Sequence, residues 1–175
     1  TVVEKSDLDS TPISEELAMF FGQVVSILNS NKEILNDKIS DTDRKTVLDG
    51  LGTAASIFRE TIYNKGFSSN TSKINKAELL EFINVSQKYL EHSIEANKRE
   101  DNLYHAYNLM TVENEKEVSI SYLSEMLEGQ VAVLSSGYLS TEESVKLLDS
   151  LKASALFRPD QYSYILYPNK KLPGF

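Results

Sequence analysis

Two stretches of this 175-residue chain carry the side chains best suited to chemistry. The first is Arg99-Glu100-Asp101-Asn102-Leu103-Tyr104-His105-Ala106-Tyr107-Asn108. The second is Phe157-Arg158-Pro159-Asp160-Gln161-Tyr162-Ser163-Tyr164-Ile165-Leu166-Tyr167. Each sets aromatic rings beside Asp, Asn, Gln or Arg. That mixture suits a sugar, because rings stack on its apolar face while polar groups take its hydroxyls. The candidate ligand-binding residues are Arg99, Asp101, Tyr104, His105, Tyr107 and Asn108, followed by Arg158, Asp160, Gln161 and Tyr164. Tyrosine would stack; His, Asp, Asn, Gln and Arg would hydrogen-bond. The competing and commoner origin of such a pattern is structural. Tyrosines pack half-buried, and Asp, Asn and Arg hold loops through backbone bonds.

Other chemistries find less support. The chain has no cysteine, which excludes disulfides, thiolate metal sites and cysteine nucleophiles. Its two histidines, His92 and His105, do not fall in a zinc-binding spacing, so neither a metal nor a cofactor is expected. No Gly-x-Ser-x-Gly motif occurs. Gly50-Leu51-Gly52 lacks the third glycine and the preceding strand of a phosphate loop, and reads instead as close helix packing. Glu15-Glu16 and Glu142-Glu143 are explained by helix starts. Glu125 and Glu128 follow the extended element and read as a solvated helix face. None of these acids is assigned a catalytic role, and the isolated domain reads as non-catalytic.

The elements that would position these groups are mostly helices. Residues 1–11 are a polar, extended lead-in. Pro12 suits a helix start, with Ser14 as the competing cap. Leu17, Phe20, Phe21, Val24, Val25 and Leu28 then recur at helical spacing as far as Asn29-Ser30-Asn31, and a short amphipathic stretch holds Ile34, Leu35 and Ile39. Ser40-Asp41-Thr42-Asp43 caps a helix whose apolar face runs from Val47 to Ile62 and which stops at Gly66. Residues 67–74 read as a loop. Asn75 and Glu78 form a capping box for a helix through Leu79, Ile83, Leu90 and Ile94, and Glu95 and Arg99 are spaced to pair on its polar tail.

The pattern then changes. Residues 103–112 are aromatic and can be extended, and Glu113-Asn114-Glu115-Lys116-Glu117 is a charged turn. Val118 to Tyr122 alternates, which permits a β-hairpin or an extended segment leading into a helix. The second is the favoured reading, with a helix over about 120–136 that ends at Gly137. Ser140 and Glu143 form a second capping box, for a helix marked by Val145, Leu147, Leu148, Leu151 and Ala155. Prolines at 159, 168 and 173 argue against helix beyond Phe157, and 162–167 can be a short strand. The expected fold is all-α: antiparallel helical pairs, as a bundle or part of a helical-hairpin toroid, with a small extended or β-hairpin element near 103–122. A single helical domain over 12–175 is expected.

Composition bounds the partners. A hydrophobic fraction of 41% is enough for a core at this length. The net charge of −8 repels a polyanion, and Lys170-Lys171 is only a pair, so nucleic acid is not an expected partner. No apolar run approaches the roughly 18–20 residues needed to cross a bilayer, and no membrane partner is expected. Absence of cysteine fits cytoplasm or periplasm, with cytoplasm the expectation. Thr1 in place of Met, and Phe175 directly after Lys170-Lys171-Leu172-Pro173-Gly174, suggest a piece of a longer protein.

Three segments carry a resemblance: Lys98 to Asn108, Tyr122 to Gly137 and Arg158 to Pro168. They resemble a region of very large uncharacterised bacterial proteins that are similar to cellobiose-phosphorylase-type glycosidases. The resemblance covers roughly the C-terminal half of the chain. It implies a helical-hairpin toroid in the parent protein, a carbohydrate context, and the rest of the parent chain as a partner. It carries over no catalytic acid. The expected function is a non-catalytic or partial helical region of a large bacterial carbohydrate-active protein, with a carbohydrate ligand. The alternative is a helical protein-interaction or scaffolding domain without a small-molecule ligand.

Overall fold

The computed structural model describes residues 2–169. Thr1, the Lys170-Lys171 pair and the Phe175 end lie outside the described residues. The described chain is mixed, not all-α: 55% is helical and 15% is strand, in six α-helices and three two-stranded antiparallel sheets. The expectation of an all-α fold is therefore corrected. In order the elements are α1 (Val2–Lys5), β1 (Ser10–Ser14), α2 (Glu15–Ser30), a 3-10 turn (Lys32–Asn36), α3 (Asp41–Lys65), β2 (Thr71–Asn75) and α4 (Lys76–Ala96). Then come β3 (Leu109–Glu113), β4 (Glu117–Ser121), α5 (Leu127–Ser135), α6 (Thr141–Ala153), β5 (Phe157–Arg158) and β6 (Ser163–Tyr164). The sheets are β1-β2, β3-β4 and β5-β6. Two compact units result, one of residues 2–90 with 112–118, the other of 91–111 with 119–169.

The first unit holds α2, α3 and most of α4, with a sheet that the sequence does not announce joining the starts of α2 and α4. β1 and β2 run antiparallel from Ser10↔Asn75 to Ser14↔Thr71. Pro12 therefore sits inside a strand, and the cap of α2 is Ser14, whose hydroxyl accepts the Leu17 N–H at 3.2 Å. The expected 67–74 loop yields its second half to β2, because Asp9 and Asn70 supply carbonyls to the Lys76 and Glu15 N–H groups. Helix starts α2 and α4 are thereby held side by side. Ser40 caps α3 and Gly66 ends it at φ +70, as a residue without Cβ can. The Asn75 box forms in both directions, at 2.8 and 2.9 Å.

Packing in this unit runs along α2. Phe20 stacks on Phe58 at 5.0 Å, and Phe21 meets Phe82 edge-on at 5.3 Å. The Tyr89 hydroxyl donates to the Leu28 carbonyl at 3.0 Å. A Cβ on Gly50 would come within 3.1 Å of the Ile27 side chain, so this glycine does serve close packing; Gly52 faces open space. Leu28, Val47, Ala54, Ile74 and Val85 are buried.

In the second unit a loop is folded back on the end of α4. The Arg99 N–H donates to the Leu103 carbonyl and the His105 N–H to the Asn97 carbonyl, both at 2.8 Å. Lys98 and Tyr104 pair as a single antiparallel bridge. This delivers Leu103 to a core cluster with Leu151, Leu156 and Leu127. It delivers Tyr104 to a second cluster with Val133 and Leu147, flanked by Ile94, Leu134 and Leu139. Ser140 and Glu143 form the expected box at the start of α6. Its Leu147 and Leu151 are buried, whereas Val145 and Leu148 are exposed.

The region after Leu109 is the hairpin reading, not the favoured one. Glu117–Ser121 is strand, so α5 begins at Leu127 rather than near 120. No side chain caps it. Instead the Leu127 N–H donates to the Leu166 carbonyl at 3.1 Å, so a distant backbone group does the work of a cap. The expected Glu95–Arg99 pair is absent because α4 ends at Ala96, which takes Arg99 off the helical register. Glu95 faces Lys98 at 4.0 Å, and Arg99 turns to Asp101 and Glu125.

Candidate functional site

The loop after α4 places its polar residues unevenly. Arg99 forms a fork with Asp101, Nε to Oδ1 at 3.0 Å and Nη2 to Oδ2 at 2.9 Å. Its Nη1 lies 3.4 Å from Glu125 Oε2. Asp101 Oδ1 also accepts the Leu103 N–H at 3.2 Å, which closes the turn. The Arg99 hydrogen bond is the main reason the Asp101 carboxyl is held below its ordinary range, and Asp101 in turn raises Arg99. Glu125 thus belongs to an ion pair and sits ahead of α5, not on a solvated helix face. Beside this pair lies an open, polar depression of about 460 Å³ lined by Lys98, Arg99, Glu100, Asp101 and His105.

The aromatic members divide between core and surface. Tyr104 is 2% exposed and its ring is part of the core, so it is closed to a ligand. Burial is also the first cause of its raised pKa. His105 is stacked on Tyr122 at 4.2 Å, with Nδ1 3.2 Å from the Leu123 carbonyl oxygen. Asn108 donates through Nδ2 to Asn97 Oδ1 at 2.6 Å, while its own Oδ1 is buried without a partner. Tyr107 is the exposed ring of the loop, at 64%, and adopts φ +55. Its hydroxyl lies near the Glu128 carboxylate, whose hydrogen-bonding and charge are the first causes of a raised Tyr107 pKa; the Tyr167 hydroxyl pushes the same way.

The second constellation forms its own hairpin. Phe157 faces Tyr164 and Arg158 faces Ser163 across β5 and β6. Arg158 clasps Asp160 with bonds of 2.9 and 2.8 Å, and this contact is the main cause of the lowered Asp160 carboxyl and the raised Arg158. Gln161 Oε1 accepts from the Ser163 hydroxyl at 3.4 Å. Tyr164 tilts against Phe157 at 5.3 Å, and Lys152 lies over the Tyr162 ring at 5.4 Å. Tyr167 and Leu166 then return the chain to the start of α5. Tyr107 of the first constellation lies near Glu128 and near Tyr167 of the second, while Arg158, Asp160, Gln161 and Tyr164 make their contacts within the hairpin.

Glu128 and Tyr167 were not among the candidate ligand-binding residues; Glu128 was read as part of a solvated helix face. The signal for Glu128 was its place in the first turn of α5 after a gap in apolar spacing, and nothing in that signal points at Tyr107. Among the described residues no three His, Asp or Glu side chains converge as a metal site would need, and no helix is long and apolar enough to cross a membrane. In the first unit, a separate groove of about 730 Å³ runs between α2 and α3, past Met19, Ile27, Gly50 and Ile57. No family model matches the chain, and no curated protein matches it.

Proposed function

We propose that the chain is a non-catalytic region of a large bacterial carbohydrate-active protein and that it contacts sugar through Tyr107, Glu128 and Tyr167. The observation that carries this reading is the nearness of the exposed Tyr107, Glu128 and Tyr167 side chains. Two ring faces offer stacking area to the C–H side of a pyranose, and the carboxylate accepts its hydroxyls. An open site with two rings binds weakly, with a Kd on the order of 1 mM, or about −4 kcal/mol. The resemblance of the C-terminal half supports the carbohydrate context.

Neither acid among the candidate residues is suited to the role of general acid. Asp101 and Asp160 are each held below their ordinary range, first of all by a hydrogen bond from arginine. Such carboxylates are fixed anions at neutral pH, the opposite of the raised carboxyl that a glycosidic general acid requires. The test is an NMR titration of the chain with cello-oligosaccharides, alongside Tyr107→Ala and Tyr167→Ala. Shifts centred on residues 107, 128 and 167 that vanish in both variants are expected. A folded wild-type chain that shows no shifts at tens of millimolar sugar would end the reading.

A further inference from the structure

We infer that the outer edge of β3 is a strand-addition site for an extended, apolar segment with basic flanks, supplied by another protein. All five residues of β3 are exposed, Leu109, Met110 and Val112 by 54%, 62% and 63%. Among the described residues β3 pairs with β4 alone. In an antiparallel pair, alternate N–H and C=O groups of each strand point away from the partner strand, and those of β3 therefore form an open template. β4 is the covered strand: Val118 is buried and Ser119 and Ile120 are half-buried. Arg44 also donates to the Val118 carbonyl.

Edges of this kind are usually guarded by proline, lysine or a bulge. β1 follows that rule, with Pro12 at its centre. β3 carries Leu109-Met110-Thr111-Val112 with no such guard. Met110 and Val112 share one face by the two-residue period of a strand, so an added strand with alternating apolar side chains covers both while its backbone completes the ladder.

Charge selects the occupant. β3 runs into a turn with Glu113, Glu115 and Glu117 against one Lys116, on a chain of net charge −8. A second copy would bring the same charge to the same edge, whereas a segment with Lys or Arg beside its apolar core is attracted. The inference is independent of the sugar reading and would stand if that reading failed.

The experiment is fluorescence anisotropy with a labelled peptide of alternating valine and threonine bearing lysines at both ends. Three comparisons accompany it: the peptide N-methylated on alternate amides, a glutamate-flanked peptide, and the Met110→Lys chain. Expected is binding by the wild type that falls with salt, and at least about a tenfold loss of affinity in each comparison. Absence of binding, or equal binding of the N-methylated peptide to wild type, overturns the inference, and this arm does not depend on any variant folding. A wild-type dimer in sedimentation velocity that Met110→Lys dissociates overturns the choice of occupant in favour of a second copy.

Discussion

The side-chain amide of Gln130 clasps the peptide groups of Tyr104: Oε1 accepts the Tyr104 N–H at 2.9 Å, and Nε2 donates to the Tyr104 carbonyl at 2.9 Å. This is the bonding pattern of a hydrogen-bonded pair in an antiparallel ladder, supplied here by a helix side chain. Nε2 also donates to the Met126 carbonyl at 2.9 Å. Gln130 is fully buried, so these bonds have no water to replace them. The loop that carries Asp101, His105 and Tyr107 is pinned from inside by this one side chain.

Gln130→Leu should therefore destabilise the chain by about 2–5 kcal/mol, because it leaves the Tyr104 N–H and carbonyl buried and unpaired. Urea unfolding followed by tyrosine fluorescence measures the loss. A change under about 0.5 kcal/mol would show that the loop reaches its place without the clasp.

Gly129 permits the same approach on the neighbouring position. A Cβ there would sit 2.8 Å from the Ala106 Cβ and 3.5 Å from the Tyr104 carbonyl oxygen. Gly129→Ala should cost about 1–3 kcal/mol through overpacking. Ala106→Gly removes the opposing carbon, so the double variant should recover much of that loss in a double-mutant cycle. Additive losses in the cycle would place the strain elsewhere.

Helices α2, α3, α4 and α6 were legible because their starts are written locally, whereas α1 and the start of α5, which no side chain caps, were not. Ser14, Ser40, Asn75 and Ser140 each bond a backbone N–H within three residues, and such caps need no tertiary knowledge. The β1-β2 sheet was not legible. Its strands, Ser-Thr-Pro-Ile-Ser and Thr-Ser-Lys-Ile-Asn, are polar, and their pairing depends on a helical hairpin that brings Ser10 to Asn75. The site was legible in part for a similar reason. A tyrosine among polar residues reads the same whether it turns inward, as Tyr104 does, or outward, as Tyr107 does. What decides is the Lys98–Tyr104 bridge and the Gln130 clasp, and neither has a sequence signature.

Acid should loosen the 99–103 turn in a defined window. Asp101 has a depressed pKa in the fold, chiefly through Arg99, so its contribution is present above the unfolded value of about 3.9 and is lost as pH falls through the folded one. Its carboxylate is about half exposed, which keeps the effect small. Thermal melts from about pH 6 down to pH 2 should show a shallower decline of Tm for Asp101→Asn than for the wild type. Identical slopes would mean that the Arg99–Asp101 fork contributes nothing to folding.

At the alkaline end the Tyr107–Glu128 contact makes its own prediction. The neutral hydroxyl lies beside the carboxylate, and ionisation would set two negative charges near each other, which is why the Tyr107 pKa is raised. Glu128→Gln removes the charge and keeps the side chain's shape. The Tyr107 titration should then move down toward the ordinary value of about 10. Carbon-13 NMR of labelled tyrosine rings follows this between about pH 8 and 12, with Tyr107→Phe assigning the resonance. A Tyr107 ring that titrates at the same pH with and without the Glu128 charge would remove the carboxylate from the surface proposed to hold sugar.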